Sequence, residues 1–76
     1  KKYRDAALFF AEGYQKFPES IKAPDMLFKL SLSLFEVNKK DEGCKTLEKL
    51  LLDFPENRLA TKTKKLISES GCLVEN

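Results

Sequence analysis

The chain has 76 residues, enough for one small domain, and a domain of that size buries only about 60% of the surface that its unfolded chain exposes. Fourteen Lys and Arg residues against twelve Asp and Glu leave a net charge of +2, a small and scattered surplus that does not indicate a nucleic-acid-binding surface. With no His, only two Cys and no Gly-rich phosphate loop, the usual general base is missing and a four-ligand zinc site is incomplete, which predicts no enzymatic activity, no metal and no cofactor.

The apolar residues recur at steps of three and four along the whole chain, which is the period of an amphipathic helix. Phe17 and Phe54 each precede a proline and so end a helix, because the residue before proline is displaced from the helical region. Asn38 suits a left-handed cap at the end of another helix, and Gly71 ends the last one. The pattern predicts four helices, at residues 2–16, 21–37, 41–53 and 58–70. Because the connections between them are short, neighbouring helices are expected to be antiparallel.

One face of each helix is expected to form the core, and a polar residue is expected to cap each N-terminus after the first. The predicted caps are Ser20, Asp41 and Asn57. The predicted core positions are Tyr3, Ala6 or Ala7, Phe10, Tyr14 and Phe17; Leu27, Leu30, Leu34 and Val37; Cys44, Leu47, Leu50 or Leu51, and Phe54; and Leu59, Ala60, Thr63, Leu66 and Ile67.

The sequence contains an internal repeat. Phe17-Pro18-Glu19 returns as Phe54-Pro55-Glu56, an offset of 54 − 17 = 37 residues. Small residues return at the same offset, and such residues let antiparallel helices approach closely. The further pairs at this offset are Ala6-Ala7 with Gly43-Cys44, Ala23 with Ala60, Leu30 with Ile67, and Ser31 with Ser68.

These positions resemble tetratricopeptide repeats. The residues that carry the resemblance are Tyr3, Ala6, Phe10, Gly13 and Phe17-Pro18 in one second helix, Leu27, Leu30, Ser31 and Leu34 in the next first helix, and Gly43, Leu47, Leu50 and Pro55 in its second helix. The resemblance implies an all-α fold of antiparallel helix pairs in a right-handed superhelical stack, with residues 1–76 forming one tetratricopeptide-like domain. Because the chain starts at Lys1 without Met or a leader, we expect it to be part of a longer chain.

A narrower resemblance rests on residues 23–35, 38–44 and 69–72, together with Phe54-Pro55. They resemble the C-terminal repeat domain of the CpoB (YbgF) family, the cell division coordinators of the bacterial Tol–Pal system. That resemblance implies a periplasmic, non-catalytic protein-binding module that links outer-membrane constriction to septal peptidoglycan synthesis. The implied partners are the Tol stalk protein and the septal synthesis machinery, with self-association through upstream segments. We expect no nucleic-acid partner and no membrane insertion, since no apolar run approaches about 20 residues.

In tetratricopeptide proteins the first helix of each repeat lines a concave groove. Aligned on that pattern, the candidate partner-binding residues are Asp25, Phe28, Leu32, Phe35, Glu36, Lys62 and Lys65. The alternative is that Phe28, Leu32 and Phe35 belong to the core.

The two cysteines also leave two interpretations open. The residues alone slightly favour a buried Cys44 and an unbridged Cys72, whereas the family resemblance favours a disulfide between them in an oxidising periplasm. For the function, two alternatives remain. One is a tetratricopeptide adaptor of outer-membrane protein assembly, whose repeats also end in Phe-Pro. The other is a structural module that self-associates through the apolar stripe formed by Phe28, Leu32 and Phe35.

Overall fold

The computed structural model describes residues 2–72, and all regular secondary structure in that range is helical. Helix α2 packs against both α1 and α3, and α4 packs against α3 in the least extensive of these three contacts. The described part is compact, with dimensions of 30 × 27 × 17 Å. An all-helical fold with four helices is therefore confirmed for these residues. The helices are α1 (Lys2–Lys16), α2 (Ala23–Glu36), α3 (Lys40–Asp53) and α4 (Ala60–Glu69).

Side-chain contacts give the direction of neighbouring helices. Lys29 places its Nζ 5.9 Å from the centre of the Phe10 ring, and a Cβ added to Gly13 would lie 2.7 Å from the Met26 sulfur. The partner's number in α2 falls as the number in α1 rises, so α1 and α2 are antiparallel. A disulfide joins Cys72, which follows α4, to Cys44 in the early part of α3. The end of α4 therefore lies near the beginning of α3.

The best-buried part of the molecule is formed by α2 and α3. Leu27, Leu47 and Leu50 are each at most 2% exposed. Ser31 is also fully buried, and its hydroxyl donates a hydrogen bond of 2.6 Å to the Phe28 carbonyl, so its burial leaves no unpaired polar atom. Leu27, Leu47 and Leu50 confirm the predicted inward stripes at those three positions, whereas the other predicted core residues of α2 are only half-buried. They are Leu30, Leu34 and Val37.

The predicted core of α1 is wrong at two positions. Tyr3 is 50% exposed and Phe17 is 62% exposed, while Phe10 and Tyr14 are only half-buried. No residue of α1 is fully buried. The physical reason is that α1 packs extensively against α2 alone within the described residues, so only part of its apolar surface is covered.

The connections before α2 and α4 are built alike. Ser20 accepts a hydrogen bond from the Lys22 amide at its side chain (3.1 Å), and Asn57 accepts one from the Leu59 amide in the same way (2.6 Å). In each case the side chain stabilises a turn that precedes the helix and does not cap the helix itself. Helix α2 accordingly starts at Ala23 and not at residue 21. The predicted cap at Asp41 is also wrong, because Asp41 lies inside the first turn of α3 and makes no side-chain capping bond.

A residue in the left-handed conformation follows the end of α2 and the end of α4. Asn38 has a φ of 65° and Gly71 a φ of 71°. The following amides donate back into the helix, from Lys39 to the Leu34 carbonyl (2.8 Å) and from Cys72 to the Ile67 carbonyl (3.1 Å). This arrangement satisfies carbonyl groups that a helix end would leave unpaired. At α4 it also turns the chain so that Cys72 faces α3.

Candidate functional site

One side of α2 remains open between its two neighbours. Asp25, Lys29, Leu32 and Glu36 recur at the three- and four-residue spacing of a single helical face, which we call the α2 outer face. Leu32 is 41% exposed, Lys29 and Glu36 are exposed, and Asp25 is half-buried. The face therefore presents one accessible leucine within a frame of charges of both signs.

The two phenylalanines of the predicted groove are less accessible than Leu32. Phe28 and Phe35 are both half-buried. The Phe35 ring lies against the backbone of α3, so close that a Cβ added to Gly43 would be 2.9 Å from its Cε1 atom. Phe35 therefore contributes to the contact between α2 and α3, and Leu32 is the accessible apolar residue of the α2 outer face.

The predicted lysines of α4 are exposed, and an ion pair joins the connection just before α4 to the α2 outer face. Lys62 and Lys65 both point to solvent, and Lys65 lies 4.0 Å from Glu69 one turn further along. The Arg58 guanidinium lies 3.3 Å from both carboxylate oxygens of Asp25. This pair is largely exposed and contributes little to stability, but it shows that α2 and α4 begin side by side.

A shallow cavity lies between these two helix beginnings. Its volume is about 430 Å³, and its walls are mostly apolar, with Pro24, Phe54 and Leu59 among them. Ile21 stands at its edge and is 95% exposed. The Asp25–Arg58 pair borders the same cavity, so apolar and charged groups converge where the two helices start.

Sequence reasoning missed Lys29 and Arg58. Lys29 could have been found, because it lies on the stripe that Asp25, Leu32 and Glu36 define. Arg58 could not, because its contact with Asp25 joins residues that are 33 apart in the chain. Only the packing of the helices brings those two side chains together.

The sulfur atoms of Cys44 and Cys72 are joined in a disulfide, with the two Cα atoms 5.6 Å apart. The pairing is the one that the family resemblance implied, and neither cysteine is left free. Both line an open depression of about 1020 Å³ between α3 and α4, together with apolar residues that include Leu51, Leu52 and Ile67. Cys44 is 9% exposed, and Cys72 is half-buried.

A polar cluster connects α1 to the end of α3. The Lys49 ammonium lies 2.8 Å from a carboxylate oxygen of Asp53, and the Tyr14 hydroxyl donates to the same oxygen at 3.4 Å. The hydrogen bond from Lys49 is the main reason that the pKa of Asp53 is lowered. The same bond raises the pKa of Lys49. These groups are exposed and engaged with one another, as expected for a solvated structural contact.

Two further properties of residues 2–72 bear on function. They contain no group of three or more potential metal-ligating side chains, and none of their helices is long and apolar enough to cross a bilayer. Comparison of the chain with protein-family models, with curated proteins and with solved structures finds no match.

Proposed function

We propose that the chain is a non-catalytic protein-binding module of the tetratricopeptide type. The observation that carries the proposal is the α2 outer face, where an accessible Leu32 lies among charged residues on a helix whose other sides are covered by α1 and α3. An exposed apolar residue framed by charges can anchor a partner helix or an extended peptide and fix its orientation. A packed helix presents such a residue without a large ordering cost on binding.

The repeated architecture supports the superhelical part of the proposal. The backbone hydrogen bonds from Ala23 to Ser20 (2.9 Å) and from Ala60 to Asn57 (3.0 Å) recur 60 − 23 = 37 residues apart. In a tetratricopeptide stack, α2 and α4 are then equivalent first helices, and their exposed faces belong to one concave surface. Such a surface joins the α2 outer face and Phe28 to Lys62 and Lys65.

The narrower proposal is that this surface serves the Tol–Pal system. Support comes from the resemblance of residues 23–35, 38–44 and 69–72 to the CpoB (YbgF) family. The disulfide between Cys44 and Cys72 is compatible with that setting, since disulfides persist in oxidising compartments such as the bacterial periplasm. We therefore propose a periplasmic adaptor that binds the Tol stalk protein and couples outer-membrane constriction to septal peptidoglycan synthesis.

A calorimetric titration of the chain with the periplasmic stalk of the Tol system tests this proposal. Leu32→Glu is the test variant, and Leu52→Glu is the matched control, because Leu52 is 81% exposed but lies on α3. We expect saturable binding that Leu32→Glu weakens by about tenfold or more, a loss of about 1.4 kcal/mol. Leu52→Glu should change the affinity by less than about twofold, as a residue outside the contact would.

Two results would refute the proposal. A correctly folded wild-type chain that does not bind would exclude the Tol stalk as its partner. Equal weakening by both glutamate variants would show that the α2 outer face is not the binding surface. Far-ultraviolet circular dichroism of each variant must first show helix content equal to that of the wild type.

Self-association is the second candidate, favoured by the exposed aromatic and aliphatic residues of α1. Leu8 is 60% exposed and Phe9 is 69% exposed. They lie on either side of Asp5 and Glu12, so the apolar surface is divided by charge. Sedimentation over a range of concentrations distinguishes this candidate from a monomeric adaptor.

A further inference from the structure

Within residues 2–72, helix α4 packs mainly against α3. Within α4 only Thr63 and Ile67 are buried, and the Thr63 hydroxyl has no hydrogen-bond partner within residues 2–72. The two α4 positions that correspond, at the 37-residue offset, to the buried Leu27 and Ser31 of α2 are exposed. They are occupied by Lys64 and Ser68. The non-covalent hold on α4 is therefore weak.

The disulfide supplies a covalent attachment at the far end of the same helix. The left-handed Gly71 and the hydrogen bond from the Cys72 amide to the Ile67 carbonyl (3.1 Å) turn the chain back after α4. Cys72 thereby reaches Cys44, which lies in the early part of α3. The bridge joins residues that are 28 positions apart and so closes a loop that contains most of α3 and all of α4.

The bridge is also open to attack. Both cysteines line the depression between α3 and α4, and Cys72 is the more exposed of the two. Three lysines and two acids line the same depression, which leaves one net positive charge around the sulfur atoms and favours the approach of a thiolate. These charged residues are Lys40, Lys45, Lys64, Asp41 and Glu48.

Part of the central packing lies between α2 and α3. Leu27, Leu47 and Leu50 are buried on α2 and α3, and the Phe35 ring lies against Gly43 of α3. Within residues 2–72, detaching α4 leaves the contacts of α2 with α1 and α3 in place, because each helix contacts mainly its neighbours. Local opening of α4 can therefore occur well below the free energy of global unfolding.

We propose that the Cys44–Cys72 disulfide is a redox-sensitive clasp, and that its reduction by a dithiol releases α4 while α1, α2 and α3 stay folded. A thiolate of the dithiol attacks the Sγ of Cys72 and forms a mixed disulfide, and Cys44 leaves as a thiolate that takes up a proton. The second thiol of the reductant then attacks the reductant's first sulfur, the one that is bonded to Cys72 in the mixed disulfide. Cys72 is released as a thiol, and the dithiol, having given up two electrons, ends as a disulfide.

Release of α4 has a consequence that rests on the proposed function. Lys62 and Lys65 are carried by α4, and Arg58, which pairs with Asp25, lies just before it. Reduction would remove this side of the binding surface and leave the α2 outer face without its neighbour. The affinity for the partner would then depend on the redox state of the bridge.

Hydrogen–deuterium exchange with mass spectrometry tests the clasp on the whole chain, with and without dithiothreitol. We expect the exchange of the α4 amides to accelerate by about tenfold or more on reduction, while amides of α2 and α3 change by less than about threefold. The Cys44→Ala/Cys72→Ala double variant is the control. It should show fast α4 exchange in both conditions and no response to dithiothreitol.

Three outcomes would overturn the proposal: unchanged α4 exchange on reduction, equal acceleration in all four helices, or a response to dithiothreitol in the double variant. Exchange is measured without a partner, so its outcome is independent of the titration with the Tol stalk. Failure of that titration with a normal exchange response would refute the proposed function and leave the clasp standing. Exchange of the α4 amides that does not respond to dithiothreitol, together with normal binding of the Tol stalk, would refute the clasp and leave the proposed function standing.

Discussion

Substitution of Gly43 by alanine tests the packing between α2 and α3. A Cβ built on Gly43 lies 2.9 Å from Cε1, 3.0 Å from Cζ and 3.1 Å from Cδ1 of the Phe35 ring. Ordinary contacts between carbon atoms lie at about 3.5–4.0 Å, so the ring or the helix must move by about half an ångström or more. Three atoms of a rigid ring are involved, so the clash cannot be relieved by turning one flexible end.

Two effects of opposite sign decide the result. Alanine favours a helix interior over glycine by up to about 1 kcal/mol, whereas an added methyl in a well-packed contact costs about 1–3 kcal/mol. We expect the packing cost to prevail and Gly43→Ala to lose about 1 kcal/mol of stability, the difference between a mid-range packing cost of about 2 kcal/mol and the full propensity gain of about 1 kcal/mol. For a domain of this size that loss lowers the melting temperature by about 4–8 °C.

Gly13→Ala is the matched control. Its added Cβ would meet only the sulfur of Met26, at 2.7 Å, and a thioether at the end of a flexible side chain can move aside. We therefore expect Gly13→Ala to gain about 0.5–1 kcal/mol from helix propensity. Reversible thermal and urea unfolding, followed by circular dichroism, measures both variants. If Gly43→Ala proves as stable as Gly13→Ala, the packing argument is wrong.

Two further predictions concern single polar groups. Thr63→Val removes a buried, unpartnered hydroxyl at nearly constant volume, and should raise stability by about 1 kcal/mol in urea unfolding; a loss would show that the hydroxyl is bonded. Lys49→Gln should return the pKa of Asp53 upward toward 3.8 in an NMR titration, because the Lys49 hydrogen bond lowers it. The Asp53 carboxylate stabilises the folded state above its unfolded pKa, and this contribution is lost as the pH falls through the lowered pKa of the folded state. The pKa of Lys49 is raised, so the contribution of its ammonium to stability is lost only as the pH rises above 10.5. Identical Asp53 titration in both proteins would show that the pair does not form in solution.

The helices could be predicted because their signals are local. Proline after Phe17 and Phe54, and left-handed residues at Asn38 and Gly71, act on the backbone within one turn. The start of α2 was placed two residues early for a reason that is also local. The side chain of Ser20 bonds the Lys22 amide and stabilises a turn there, a use of serine that competes with helix capping.

What covers an apolar face could not be predicted in the same way. Helical periodicity identifies the apolar side of α1, but it does not say which helix packs there, and Tyr3 and Phe17 are exposed. Likewise Leu32 and Phe35 fall on one predicted stripe, although the first is accessible and the second lies on Gly43. Periodicity places side chains around one helix, and the position of its neighbours decides their burial.

Phe35 is the residue at which the core and groove interpretations make opposite predictions. If its ring packs on Gly43, then Phe35→Leu relieves the clash in Gly43→Ala, and the double variant should be more stable than the sum of the single effects by about 1 kcal/mol. If Phe35 instead serves a partner, the two effects should add within about 0.5 kcal/mol. Leu32→Ala is the control for the cycle, since the three atoms nearest to a Cβ at Gly43 all belong to Phe35 and none to Leu32. If Phe35 is a core residue, Gly43→Ala is energetically coupled to Phe35→Leu and not to Leu32→Ala. Comparing these two double-mutant cycles therefore distinguishes a core residue from a surface residue on the same helix.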